Sequence, residues 1–251
     1  MTDLLNGDCY EFLKTIPDNS IDLVVTDPPY EFNAKVTGGG MFSDKNAERY
    51  GRKSIRMLNN LEKLDSTTFK PSDILDTLKW KMRKFYGYFF CNKTLVPDYL
   101  NWSVANKFTY DILVMAKTNP IPAHSTHHCS DLEYIILIRD KGTYFTGSGL
   151  EQDCYKKFYQ TNCQKRIHPA EKPVELLKRF VQVSSKEGDV ILDPFMGSGS
   201  TGVACKELNR NFIGIEKDKN YFNIARNRIN DLPFITNESE TVIVKNRNTL
   251  F

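Results

Sequence analysis

Short apolar runs alternate along the chain with polar stretches of helical character, the pattern of a mostly parallel sheet joined by helices. Residues 21–26 (IDLVVT) read as a strand that runs straight into Asp27-Pro28-Pro29-Tyr30. Neither proline can donate to a ladder, so the strand ends there. Residues 86–91 (YGYFFC) form an aromatic strand after a lysine-rich helical stretch around residues 79–84, and residues 110–115 and 134–138 are two further strands. Late in the chain, residues 190–192 and 212–215 are short buried strands with a helix of about ten residues between them.

Three segments fall outside this alternation. Residues 31–60 hold Gly38-Gly39-Gly40 and the basic group Arg49, Arg52, Lys53 and Arg56 without a sustained period, and are expected to form a mobile loop over the site. Residues 140–167 are polar, with Lys156, Lys157, Lys165 and Arg166 among tyrosines. The tail after Pro233 holds a candidate strand at 241–245. Internal repeats and low-complexity tracts are not evident.

A length of 251 residues suits one α/β domain with a small attachment, and 40% hydrophobic with 26% charged residues is ordinary for a well-cored protein. The net charge of +3 permits a polyanionic partner without demanding one. No run of about 18 apolar residues suggests a membrane span, and the opening MTDLLNGDCY lacks the basic and apolar regions of a secretion signal. The six cysteines contain no C-x-x-C pair and read as free thiols in a reducing cytoplasm. His124-Ser125-Thr126-His127-His128-Cys129 invites a metal, but no second ligand cluster has zinc-site spacing, so a polar loop is expected and no metal.

Asp193-Pro194-Phe195-Met196-Gly197-Ser198-Gly199-Ser200-Thr201-Gly202 follows a strand and opens a helix. Gly197 and Gly199 allow a tight turn and close approach to a ligand, Gly202 allows close helix packing, and the helix N-terminus offers N–H groups to an anion. The next strand ends at Glu216, where a carboxylate suits ribose hydroxyls. This context points to an adenosine-type cofactor. A nicotinamide dehydrogenase and a glycine turn without a ligand stay open; about fifty residues remaining after the loop are few for a dinucleotide fold.

Asp27-Pro28-Pro29-Tyr30 is the second constellation. Two fixed φ angles after a strand make a stiff corner with carbonyls in set directions. The Asp27 carboxylate and Pro28 carbonyl suit the two hydrogens of an exocyclic amine on a planar base, with Tyr30 stacked on its ring. A plain strand-end turn is the competing reading of a bare Asp-Pro-Pro.

In this order the motifs resemble the β-class amino-methyltransferases of bacterial and phage DNA, whose chains are circularly permuted, with the catalytic motif early and the glycine loop late. The resemblance runs through Asn6-Gly7-Asp8-Cys9, Asp27-Pro28-Pro29-Tyr30, residues 117–122 (KTNPIP), Glu133-Tyr134-Ile135, residues 168–173 (HPAEKP), the glycine loop and Ile213-Gly214-Ile215-Glu216. It implies an α/β, Rossmann-like, mostly parallel seven-stranded sheet flanked by helices. Residues 1–139 would carry the catalytic part, 140–167 a short target-recognition segment, 168–232 the cofactor-binding part, and 233–251 a tail.

The resemblance further implies S-adenosylmethionine as cofactor and a base flipped from double-stranded DNA. Catalysis would rest on Asp27, Pro28, Pro29 and Tyr30. Asp8, with Cys9 beside it, would meet the cofactor adenine, and Glu216 its ribose. Phe195, Gly197 and Gly199 would line the methionine end, with Ser198 and Ser200 near its carboxylate, and Asp27 and Asp193 would also bind the cofactor. Lys172 is either a partner for that carboxylate or a solvated helix start. Aspartate before Pro-Pro-Tyr implies adenine N6; cytosine N4, an RNA or protein-glutamine substrate, and a non-catalytic nucleic-acid-binding module are the alternatives. A bacterial or phage-infected cytoplasm, a homodimer and a restriction endonuclease partner all accord with the resemblance.

Overall fold

Every side chain of the aromatic run Tyr86–Cys91 is buried, and the sheet is built around it. The computed structural model describes residues 1–29, 69–118, 128, 131–146, 149–161 and 171–230. Its strands are β1 (Thr2–Asn6), β2 (Leu23–Thr26), β3 (Tyr86–Cys91), β4 (Thr109–Lys117), β5 (Leu132–Arg139), β6 (Phe158–Thr161), β7 (Val190–Asp193) and β8 (Asn211–Glu216). Its helices are α1 (Cys9–Thr15), α2 (Pro71–Lys81), α3 (Val96–Ala105), α4 (Val174–Ser184), α5 (Ser200–Glu207) and α6 (Lys219–Asn230). The strands form one sheet in the order β1-β8-β7-β2-β3-β5-β4-β6. Its neighbours pair in parallel except where β5 meets β3 and β4, so among the described strands β5 runs against the rest.

Side-chain alternation along β3 sends its aromatics to both faces. Tyr88 stacks on Phe180 of α4, with ring centroids 4.3 Å apart and planes within 3°, while Phe89 stacks on Tyr99 of α3 at 5.5 Å. Helices therefore cover both sides, which is why the central strands read as continuous apolar runs rather than alternating ones. The Tyr88 hydroxyl, fully buried, is satisfied by the Ser184 hydroxyl at 2.7 Å.

The sheet has one strand more than the seven expected. The polar segment 140–167 contributes β6, which pairs in parallel with β4 at the edge. Its burial alternates and its length is four residues, too little for a period to register. The edge strand β1 was equally silent, its first residues being exposed. The chain divides into two compact units, residues 1–28 with 71–251, and residues 29–70. The expected loop at 31–60 and the candidate strand at 241–245 lie outside the described residues, and among those described no helix is long and apolar enough to cross a membrane.

The packing role expected of Gly202 is visible: a Cβ there would overlap Ile229 Cδ1 of α6 and lie 2.7 Å from Phe212 Cε1 of β8. Gly202→Val should therefore lower unfolding stability by about 1–3 kcal/mol through overpacking. Urea titration of the two proteins would measure this, and an unchanged midpoint would show that α6 yields freely.

Candidate active site

From β7 the chain crosses through α5 to β8 on one side, whereas from β2 it returns through α2 to β3 on the other. The loops after β2 and β7 therefore diverge between adjacent central strands, and the crevice at such a switch point, at the carboxyl ends of the strands, is where open α/β sheets bind ligands. Asp27 follows β2, Asp193 ends β7, Glu216 ends β8 and Asp8 follows β1. Because β5 is reversed, Glu133 near its beginning reaches this same edge.

Asp193 holds the base of the glycine loop. Its Oδ1 accepts from Thr26 Oγ1 at 2.7 Å and from the Phe195 amide at 3.1 Å, and its Oδ2 accepts from Thr201 Oγ1 at 2.7 Å. It is 4% exposed. Burial pushes its pKa up to about 6, against the lowering effect of those donors and with a further rise from the Asp27 carboxylate. Asp193, expected among the cofactor contacts, thus spends its carboxylate on shaping the loop.

The two loop glycines serve different ends. Both have left-handed φ, +52° at Gly197 and +81° at Gly199, a region that L side chains rarely adopt. A Cβ at Gly197 would meet nothing within 4 Å, so the backbone there borders open space, the cradle an adenosine cofactor requires. A Cβ at Gly199 would lie 2.9 Å from Ala225 Cβ, so this glycine admits α6 instead. The Glu216 carboxylate accepts from the Gly197 amide at 2.9 Å and the Asp218 amide at 2.7 Å, and burial raises its pKa. Each oxygen has a second lone pair, leaving room for hydroxyl donors. Asp8 caps α1, accepting from the Tyr10 amide at 2.9 Å, and its neighbour Asn6 is in register with Glu216. With Phe195 partly exposed beside Gly197, these residues fit an adenosine with an attached chain.

Asp27 sits against a buried cation. Lys172 is 7% exposed; its ammonium donates to Asp27 Oδ2 and lies 3.3 Å from Glu133 Oε2. It also lies 5.1 Å from the centre of the Phe90 ring. Burial alone would depress its pKa, but the Asp27 and Glu133 carboxylates outweigh burial and raise it. Lys117, at the end of β4, pairs with Glu133 Oε1 at 2.7 Å. Two lysines and two carboxylates thus alternate at the mouth of the crevice. The solvated alternative for Lys172 is excluded, and the carboxylates it meets belong to this chain.

The remaining candidates are dispersed. Pro28 is buried and Pro29 exposed, while Tyr30 lies outside the described residues. Cys9 is 6% exposed, packed in the core, its thiol pushed up to about 12 by burial and then by the Asp8 carboxylate. Ser198 and Ser200 are buried against Arg228 of α6, whose Nη1 lies 3.0 Å and 3.4 Å from their hydroxyls. In the segment expected to read the target, Lys157 pairs with Asp111 at 2.6 Å, Lys156 with Asp153 at 2.6 Å, and Tyr159 lies under Arg179. Lys165 and Arg166 fall outside the described residues, as does all of 124–129 but His128. Thr26, Thr201, Glu133 and Arg228 carried no sequence signal of their role. All but Thr201 act through a partner far away in the chain.

A family model described as DNA methylase matches residues 21–227. The type II methyltransferase M.HinfI of Haemophilus influenzae is 30% identical over 266 residues, covering 94% of this chain and 70% of its relative. The type II methyltransferase M2.DpnII of Streptococcus pneumoniae is 28% identical, covering 90% and 88%. Among solved structures, the M1.HpyAVI complex with S-adenosylmethionine superposes with a TM-score of 0.65 at 25% identity, covering 91% of this chain and all of that one.

Since the folded pKa of Asp193, about 6, lies above its ordinary 3.8, the stability it contributes is complete below pH 3.8 and is lost as pH rises through 6. Relative to Asp193→Asn, the wild type should lose roughly 2 kcal/mol between pH 4 and pH 7. Parallel denaturant titrations across that range check this, and a difference independent of pH would refute the raised pKa.

Proposed function

From the premise that this chain belongs to the N6/N4 DNA methylase family, we propose that it methylates N6 of adenine flipped from double-stranded DNA. The protein is a DNA methyltransferase with S-adenosylmethionine as methyl donor. The observation that carries the adenine reading is Asp27, a carboxylate fixed at the switch point by Lys172. Bound in the crevice, S-adenosylmethionine supplies a methyl group made electrophilic by its sulfonium.

The amine to be methylated is a poor nucleophile, its lone pair delocalised into the ring. Asp27 accepts one amine hydrogen and the Pro28 carbonyl the other, which draws the nitrogen toward tetrahedral geometry and stabilises the positive charge developing on it. Lys172 keeps Asp27 aimed, and Asp27 is the acceptor at hand for the proton that must leave. Tyr30, outside the described residues, is the ring this reading assigns to stacking on the base. Alignment for in-line transfer supplies much of the remaining acceleration. On the cofactor side, Glu216 serves the ribose and Asp8 the adenine, while Gly197 lets the backbone approach and Phe195 borders the methionine end.

Residues 140–167 are the short target-reading segment in this account: β6 runs parallel with β4 toward the crevice edge, whereas Tyr144 and Phe145 follow the end of β5 at the opposite edge of the sheet. The relatives named type II methyltransferases support a part in restriction-modification; in this reading the protein works alongside a restriction endonuclease in a bacterial or phage-infected cytoplasm.

Asp27→Asn, which keeps shape and removes charge, should lower kcat roughly 10²–10³-fold while calorimetry still registers S-adenosylmethionine binding. Near-normal turnover would sink the acceptor role. Mass spectrometry of nucleosides from treated DNA should show N6-methyladenine; N4-methylcytosine in its place would reassign the base.

A further inference from the structure

The dipeptide Glu171-Lys172 faces two ways. Lys172 precedes Pro173, which biases it toward extended backbone, and successive side chains of an extended segment point to opposite sides. On one side the Lys172 ammonium reaches Asp27 and Glu133. On the other, Glu171 Oε1 lies 2.8 Å from Arg228 Nη2, with the two side chains 14% and 13% exposed. The other arm of that guanidinium donates to the Ser198 carbonyl at 2.8 Å and to the Ser198 hydroxyl at 3.0 Å, inside the glycine loop.

We propose that Glu171 and Lys172 staple the cofactor loop to the catalytic aspartate, making Arg228 and Lys172 positioning residues for each other's motif. This rests on the reading of Asp27 as the amine's acceptor and of residues 195–200 as the cofactor's seat. The chain of contacts runs from Ser198 through Arg228 and Glu171, across one peptide bond, and through Lys172 to Asp27. Each ion pair in it is largely withdrawn from solvent, where an unpartnered charge is costly, so neither end moves without moving the dipeptide. The loop conformation that accepts the cofactor and the orientation of Asp27 are then set together. An enzyme built this way has its acceptor aimed when its methyl donor is seated.

The test is a double-mutant cycle with Lys172→Met, Arg228→Met and the pair, reading the S-adenosylmethionine Kd by calorimetry and kcat on DNA at saturating cofactor. Lys172→Met should raise Kd about tenfold although its ammonium sits on Asp27, and the double variant should fall about tenfold short of the product of the single effects. Arg228→Met should lower kcat even at saturation and shift the acid limb of its pH profile, and Arg228→Lys, which keeps a charge and a donor, should recover most of both. Multiplicative effects on Kd, or an Arg228→Met that alters Kd alone, would overturn the staple. If the methionine variants melt below assay temperature, Lys172→Gln and Arg228→Gln, which remove the charges but keep polar side chains, carry the same cycle. A wild type that binds cofactor but leaves adenine unmodified defeats the functional reading, while the Kd cycle still decides the coupling.

Discussion

The hydrogen bond from Thr26 to Asp193 ties together the two halves of the site, and most of the remaining arrangement depends on it. The residues are 167 positions apart, yet β2 and β7 lie side by side in the middle of the sheet, paired Leu23 with Ile191 and Val24 with Leu192. Thr26 is the last residue before the Asp-Pro-Pro corner, and Asp193 is the first of the glycine loop. One buried contact therefore sets where the substrate acceptor sits relative to the cofactor cradle. Asp193 is held at a cost in desolvation, offset only in part by three donors, two of which also fix Phe195 and the first turn of α5. Such a residue shapes the loop that surrounds it.

Charge at this edge follows from topology. Strands that run the same way bring their carboxyl ends to one edge, and Asp8, Asp27, Asp193 and Glu216 all lie there. The reversal of β5 adds Glu133. Five carboxylates crowded together would repel one another, and two lysines interleaved among them, Lys172 and Lys117, relieve that repulsion while confining Asp27. Breaking a buried pair by removing one partner typically costs about 3–5 kcal/mol. The geometry of Asp27 is thus held more firmly than a strand-end turn alone would hold it.

The motif chemistry and the central strands were legible in the sequence. The strand of residues 86–91 was recovered residue for residue, because a strand buried on both faces shows as an unbroken aromatic run. The glycine loop was legible for a different reason: its conformation is local, and φ angles of +52° and +81° in close succession favour glycine. The division of labour between Gly197 and Gly199 was not, since it depends on whether α6 or open space lies beyond each. The short edge strands β1 and β6 escaped as well, having too few buried positions to set a period.

By itself, then, the sequence determined the alternating α/β character, the stiff Asp27 corner, the glycine turn and their permuted order, all properties of residues near one another in the chain. The tertiary structure decided everything that needed two distant segments to meet: the pairing of Thr26 with Asp193, the direction of β5 that delivers Glu133, and the burial of Lys172 against Asp27. Hydrophobic pattern and backbone chemistry are written locally, whereas the partner of a charge is chosen by how strands are ordered in a sheet. Lys172 shows the difference. In sequence it was as much a solvated helix start as a ligand, and only the fold gave its charge a carboxylate to hold.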